Sequence, residues 1–334
     1  MAQDSSAARS RPTTAAIWVA GKELQGADKV VNKDYLYWLR GMVALRTNKI
    51  DDAQKAFEQL GKQKGSRFAP QVAWRLADCA WARGDKQGAA KQYAKLVKQD
   101  KADEVGDVGT AMYRIAEAKQ TAEAYRAMLV AHPAHSLAAE AEAKMLALGG
   151  APLSPADRIE RAKQLTAQHL WDESIAELAL VPADVPAELG YQRDYWTGTT
   201  LFEMRRRYGD AAKLLLAVYP HMGDHAAEAM FHGARALSRA DKDDDAIAWY
   251  HKVVAEYPST PWAVEAQFLS GWLEFNRGHY KEAISPLETS LASYPKGKFA
   301  ETSRWFLGMS FYLLGDYAHA KEHLDKLAKS SGSL

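Results

Sequence analysis

The sequence predicts an all-α fold, built as a solenoid of antiparallel helix pairs. In the last third of its 334 residues, alanines recur at a step of 37 residues, at Ala246, Ala283 and Ala320. The same step relates five further columns, as is typical of a repeat array: Ala234/Gly271/Gly308, Gly278/Gly315, Tyr280/Tyr317, Tyr257/Tyr294 and Pro258/Pro295. No stretch of useful length shows the period-two alternation of an amphipathic strand. Helical repeats therefore decide the predicted architecture.

Each unit resembles the tetratricopeptide (TPR) pattern of two antiparallel helices. The small residue Gly271 in a first helix lets the second helix approach closely, and Ala283 does the same from the other side. Gly278 ends the first helix at a position suited to positive φ. Pro295 stops the second helix because proline cannot continue it. We expect a right-handed superhelix of about eight such pairs, some of them irregular.

The elements follow in chain order, and the predicted domains are residues 1–30, a polar segment; 31–148, an N-terminal TPR-like sub-array; 149–155, a hinge; 156–328, a C-terminal TPR-like sub-array; and 329–334, a tail. Glycine and proline in Gly149-Gly150-Ala151-Pro152 favour the hinge. Apolar spacing predicts the remaining elements: repeat units over Tyr35–Leu60 and Ala73–Leu96, helices over Ala111–Leu129 and Leu137–Leu146, and looser units over Arg158–Leu178 and Asp194–Leu216.

Composition excludes several classes of protein. The net charge of +1 argues against a protein built to grip nucleic acid. The balance is uneven, because residues 1–100 carry 18 Lys/Arg against 10 Asp/Glu, whereas the rest carries 25 against 32. Cys79 is the only cysteine, so neither an intrachain disulfide nor a cysteine-based zinc site is expected. No run of 18 apolar residues exists to form a transmembrane segment, and no secretion signal is written at the start.

Two motifs imitate metal sites, and we expect neither to bind metal. His319 and His323 spell the H-x-x-E-H of inverted zinc proteases, but the repeat register places both toward the outer surface with no third ligand. Asp241 to Asp245 imitates a calcium loop, yet Ala246 and Lys252 stand where glycine and glutamate are needed. We expect these acids to start a second helix, where carboxylates favour its positive end. Neither a catalytic site nor a cofactor is predicted.

A column of aromatic residues is the predicted binding surface. First helices line the concave face of TPR arrays, so an exposed row of rings there would stack on sugars or clamp a peptide. The alternative is that these rings pack against the neighbouring repeat. The column comprises Trp38, Trp74, Tyr195, Phe231, Phe268 and Trp305, with Trp81, Phe202, Phe275 and Tyr312 seven residues after four of them. The basic run Arg205-Arg206-Arg207 is expected to be solvated surface rather than an anion site.

The stretch from Ala226 to Leu287 resembles the α-superhelical region of bacterial soluble lytic murein transglycosylases. The sequence segments that carry this resemblance are His232-Gly233-Ala234-Arg235-Ala236-Leu237-Ser238-Arg239, Asp245-Ala246-Ile247, Tyr250, Tyr257-Pro258, Trp262-Ala263-Val264-Glu265-Ala266 and Leu273-Glu274-Phe275. In that family the superhelix is a periplasmic platform, and a separate C-terminal module cleaves the glycan with one glutamate. The hallmark of that module is a Glu-Ser pair that opens a helix and is followed by a Gly-Leu-Met-Gln type segment. The Glu173-Ser174 pair of this sequence lies inside a repeat instead, with Ser174 at a packing position, and no such segment follows.

The resemblance implies a non-catalytic scaffold of a peptidoglycan lytic transglycosylase, presenting its aromatic surface to cell-wall murein in the periplasm. Its parent protein would then be the enzyme. The alternative from the residues alone is a TPR adaptor for protein–protein interaction, in the envelope or the cytoplasm. The predicted partners are thus peptidoglycan or a peptide on the concave face, with no nucleic acid.

Overall fold

A computed structural model describes residues 32–331, and these fold into eighteen α-helices with no β-strand. The predicted segment 1–30 and the end of the predicted tail lie outside the described residues. The chain divides into two compact units, residues 1–152 and 153–334. The boundary falls within the predicted hinge 149–155, whose flexibility stays a prediction.

The first unit contains eight helices. They are α1 (Lys33–Arg46), α2 (Ile50–Gly61), α3 (Ala69–Ala82), α4 (Lys86–Leu96), the short α5 (Ala102–Val105), α6 (Val108–Lys119), α7 (Ala122–Ala131) and α8 (Ala138–Ala147). Helices α1 and α2, α3 and α4, and α6 and α7 pack as sequential pairs, and α8 packs on α7.

The second unit contains ten helices in five sequential pairs, which are α9 (Pro155–Ala167) with α10 (Trp171–Ala179), α11 (Ala187–Glu203) with α12 (Tyr208–Val218), α13 (Ala226–Arg239) with α14 (Asp243–Glu256), α15 (Pro261–Asn276) with α16 (Tyr280–Ser293), and α17 (Ala300–Leu313) with α18 (Tyr317–Ser331). Each second helix also packs on the next first helix. The prediction of an all-α, TPR-like helix-pair solenoid is confirmed.

Small residues hold the two helices of each pair together, as the repeat columns predicted. A Cβ at Gly271 would lie 2.7 Å from Cγ of Leu287 on the second helix, so any larger residue would push the pair apart. Ala234, Ala246 and Ala283 are completely buried. The repeated small residues therefore mark the positions where the two helices of a pair approach closely.

Seven first helices end two residues before a residue in the left-handed region. At this position a single residue with φ near +60° closes the helix and reverses the chain. Glycine occupies it in three pairs, including the predicted Gly278 and Gly315, but four pairs place another residue there. The seven are Asn48, Gly84, His169, Arg205, Asp241, Gly278 and Gly315.

The stretch predicted to be helical from Ala111 to Leu129 is interrupted. Helix α6 ends at Lys119, Gln120 takes a left-handed φ of 52°, and Thr121 caps α7 by accepting a hydrogen bond from the Ala124 amide. Apolar spacing continues through this turn because both helices contribute buried residues to the same cluster, such as Ala116 and Met128. Periodicity alone therefore could not show the break.

Candidate functional site

Four rings of the predicted aromatic surface lie in the core instead. Trp74, Tyr195, Phe231 and Phe268 are at most 5% exposed, which leaves no ring surface for a ligand. Tyr195, Phe231 and Phe268 lie against rings at the start of the next first helix. Trp74 packs on Tyr93 of its own second helix and beside Gly106, just before α6. The alternative of packing against the neighbouring repeat is correct for these four.

Ring contacts between successive first helices repeat along the chain. Each contact joins a mid-helix ring to a ring at the start of the next first helix, 30 or 31 residues later. The pairs have centroid separations of 5.1, 5.1 and 4.6 Å, for Trp38 with Phe68, Phe231 with Trp262, and Phe268 with Phe299. For these three rings the aromatic column marks contacts between successive repeats, and such ring packing stabilises the repeat interface.

Two rings of the column are exposed and four are half-buried. Trp305 and Tyr312 on α17 are 41% and 51% exposed, and α17 belongs to the last helix pair of the described chain. Trp38, Trp81, Phe202 and Phe275 lie between these extremes. A ligand-binding role for the six accessible rings stays a prediction.

A cleft of about 770 Å³ lies in the second unit, at the turn ends of three successive helix pairs. Its volume is within the range of small-ligand sites. We call it the arginine cleft. The α9–α10 turn, the end of α11 with the start of α12, and the end of α13 supply its lining, which is His169, Trp171, Phe202, Glu203, Arg205, Tyr208, Arg235 and Arg239. Of the predicted surface residues only Phe202 is among them.

The arginine cleft holds three guanidinium groups and one carboxylate. Arg235 lies with its guanidinium carbon 5.9 Å from the Phe202 ring centre and pairs with Glu265 at 3.5 Å. The guanidinium groups of Arg205 and Arg239 form no hydrogen bond or ion pair with any residue of the described range 32–331. Desolvation raises the pKa of Glu203 above its ordinary value, against the lowering influence of His169 and Trp171, although its side chain stays exposed.

Backbone strain coincides with the cleft. His169 and Arg205 have φ of 60° and 56°, in the turns where later pairs use Gly278 and Gly315. A side chain with a Cβ in this region costs roughly 1 kcal/mol or more. Strain of this kind often marks functional positions, since the side chain is kept although glycine would fit the backbone better. Both strained side chains line the cleft.

Sequence reasoning missed the cleft because its residues come from three repeats. One usable signal was a pair of arginines four residues apart on α13, Arg235 and Arg239, which share a helix face. The other was Arg205, which replaces glycine in the turn. The two arginines that follow it in the sequence do not line the cleft, since Arg207 pairs with Asp210 at 2.8 Å and Arg206 is exposed outside the cleft.

The imitated metal motifs have ordinary structural surroundings. His319 is exposed, as expected, and its ring stacks on Phe311; His323 is half-buried on the same Phe311 ring, contrary to its expected outward position. The Asp243 to Asp245 run forms the first turn of α14, as predicted. Within the range that the structure describes, no group of three or more His, Cys, Asp or Glu side chains is placed to hold a metal ion.

Ser174 is completely buried, as its repeat position predicted, and its hydroxyl donates to the carbonyl of Ala162. The hydroxyls of Thr166 and Thr200 join it in a buried cluster, in which the Thr166 oxygen lies 2.8 Å from the Ser174 oxygen and 2.8 Å from the Thr200 oxygen.

Burial raises the pKa of the Cys79 thiol to about 11, which keeps the thiol protonated. No helix between residues 32 and 331 has the length and apolar character needed to cross a bilayer.

Stacked helix pairs, small residues between paired helices and left-handed closing turns define a TPR-like solenoid. Two segments match tetratricopeptide-repeat families, residues 39–104 and residues 228–260. The chain thus contains TPR repeats in both units. No curated protein matches the sequence.

Several solved structures are similar at low identity. The APC/C hetero-tetramer Cut9-Hcn1 is 12% identical with a TM-score of 0.37, and the match covers 89% of this chain and 52% of that chain. The TPR2AB-domain:pHSP90-complex of yeast Sti1 is 14% identical with a TM-score of 0.30, and the match covers 86% of this chain and 98% of that chain. The human IFIT1 dimer with PPP-AAAA is 13% identical with a TM-score of 0.36, and the match covers 95% of this chain and 87% of that chain. This chain therefore spans 52% of the first structure's chain. Similarity at this level does not extend to function.

Proposed function

We propose that the protein is a scaffold that binds a peptide segment of a partner protein. The observation that carries this proposal is the arginine cleft, because three successive helix pairs contribute side chains to one concave site. A solenoid is suited to this role, since stacked repeats hold many side chains along one continuous surface.

The lining fits a peptide better than a reaction. Trp171, Phe202 and Tyr208 offer apolar ring surface, and the arginines offer hydrogen-bond donors, which together provide packing and orientation. Aromatic and arginine side chains are also the types that carry most binding energy at protein interfaces. Among the described residues that line the cleft, no nucleophile is paired with a base, and no three His, Cys, Asp or Glu side chains are placed to hold a metal ion.

The test is selection of a random-peptide display library on the immobilised full chain, followed by titration of enriched peptides by fluorescence anisotropy. We expect saturable binding at one site. Trp171→Ala should weaken it about tenfold, the loss expected for an aromatic contact of roughly 1.4 kcal/mol. Trp249→Ala is the matched control, because Trp249 is also half-buried but lies against Tyr219 and Lys252, outside the cleft.

Two results would contradict a peptide-binding scaffold with its site in the cleft. One is that no enriched peptide reaches saturation on the full chain. The other is that Trp171→Ala and Trp249→Ala weaken binding equally, since the loss would then reflect general destabilisation.

Peptidoglycan is the second candidate ligand. It rests on the sequence resemblance to murein transglycosylases and on the exposed rings of Trp305 and Tyr312, which are suited to stacking on sugars. This hypothesis carries a periplasmic location with it. Co-sedimentation of the chain with isolated sacculi tests it, and a Trp305→Ala/Tyr312→Ala variant should stay in the supernatant. Equal pelleting of the variant would remove these rings from the interaction.

A further inference from the structure

We propose that the arginine cleft selects an acidic peptide, with side-chain carboxylates of the ligand seated on Arg205 and Arg239. This rests on the proposed peptide-binding function and names the chemistry of the ligand at the same site.

The charges of the cleft point to a carboxylate ligand. Three guanidiniums and one carboxylate, that of Glu203, line the cleft. Glu265 pairs with one of the guanidiniums, that of Arg235, and the lining still carries net positive charge. The surrounding unit is acidic, with 20 Lys/Arg against 25 Asp/Glu in residues 153–334. The cleft is therefore a cationic site on a negatively charged unit, which favours a short acidic segment over a long polyanion such as nucleic acid.

The two arginines have donor capacity to spare. The guanidiniums of Arg205 and Arg239 make no ion pair or hydrogen bond within residues 32–331, whereas that of Arg235 is engaged by Glu265 and by the Phe202 ring. A guanidinium presents a planar fork of N–H donors that matches the two oxygens of a carboxylate. Leucine-sized or aromatic residues between the ligand's carboxylates would pack on Trp171 and Tyr208.

The strained turn separates a binding role of Arg205 from a structural one. Its backbone has a φ of 56°, which glycine adopts without cost. Arg205→Gly should therefore leave the urea midpoint of unfolding unchanged or raise it, while removing one contact to the ligand. If Arg205 served only the fold, Arg205→Gly would lower the urea midpoint and leave ligand binding unchanged.

The probe is a rhodamine-labelled, end-blocked peptide of three glutamates alternating with three leucines, titrated into the full chain and followed by anisotropy. The matched peptide has glutamine in place of each glutamate. We expect the glutamate peptide to bind at least about tenfold more tightly, and its affinity to fall as salt is raised, because the contacts are between charges.

Three variants complete the test. Arg205→Gly/Arg239→Gln should weaken binding of the glutamate peptide at least about tenfold, through loss of two charge-assisted contacts. The control Arg206→Gln/Lys213→Gln removes the same charge from exposed positions outside the cleft and should change binding less than about twofold. Glu203→Gln removes the carboxylate that lines the cleft and should strengthen binding.

The proposal is overturned if the glutamine peptide binds as tightly, if the control loses as much affinity as the cleft variant, or if neither peptide binds. Preference for a short single-stranded oligonucleotide over the glutamate peptide would also overturn it, in favour of a nucleic-acid ligand. If displayed peptides bind in a manner that Arg205→Gly/Arg239→Gln does not affect, the scaffold function stands and the acidic specificity fails. The two proposals are thus separable.

Discussion

Two glycines in the same helix, α11, should respond differently to alanine. A Cβ at Gly198 would lie 2.8 Å from Cγ and 3.1 Å from Cδ2 of Leu215, which is completely buried in α12. A Cβ at Gly190 would have no atom within 4 Å. Both glycines have ordinary helical φ, so the two substitutions differ chiefly in packing.

The magnitudes follow from two opposing effects. Replacing glycine by alanine inside a helix stabilises it by roughly 0.5–1 kcal/mol. Forcing a methyl group into a packed interface costs about 1–3 kcal/mol, because Leu215 must leave its preferred position. Gly190→Ala should therefore stabilise the unit by about 0.5–1 kcal/mol, while Gly198→Ala should range from nearly neutral to about 2.5 kcal/mol destabilising.

The assay is hydrogen exchange of the α11 and α12 amides, supported by urea unfolding followed by far-ultraviolet circular dichroism. Exchange is the primary measurement because stacked repeats do not unfold as one two-state unit. Since the helix-propensity gain is common to both variants, the difference between them isolates the packing cost. Equal protection in the two variants would refute the close approach of α11 and α12 at Gly198.

Further predictions concern stability. Burial lowers the pKa of the His232 imidazole from 6.5 to about 4, so the unfolded state binds the proton more tightly than the folded state. The free energy of unfolding should therefore fall by up to about 3 kcal/mol as the pH drops from 6.5 to 4. His232→Phe should flatten this part of a profile of urea midpoint against pH. An unchanged slope would show that His232 is not responsible. Trp74→Ala should cost about 3–5 kcal/mol of unfolding free energy, whereas Trp305→Ala should cost less than about 1 kcal/mol, as chemical denaturation can measure; similar losses would contradict the burial difference. Thr200→Val should cost about 1 kcal/mol through the buried hydroxyl cluster, unless its urea midpoint matches the wild type.

The helix pairs were predictable because the same two physical requirements recur from unit to unit. A small residue must stand where two helices touch, and a residue tolerant of positive φ must stand where the first helix ends. Ala234, Gly271 and Gly308 meet the first requirement, and Gly278 and Gly315 meet the second. The turn at Gln120 was not predictable, since its residue type does not favour the left-handed region and the apolar pattern continues across it.

The aromatic column was visible in the sequence, but its meaning was not. A ring on a first helix lies either against the next first helix or in solvent, and the two cases have the same spacing along the chain. A second column resolves them, because Phe68, Trp262 and Phe299 stand 30 or 31 residues after the rings they cover. A column with such a partner belongs to the array's own interface. Binding positions are therefore better sought where a repeat departs from its structural rule. Four turns carry another residue in place of glycine, and two of these residues, His169 and Arg205, line one common cleft.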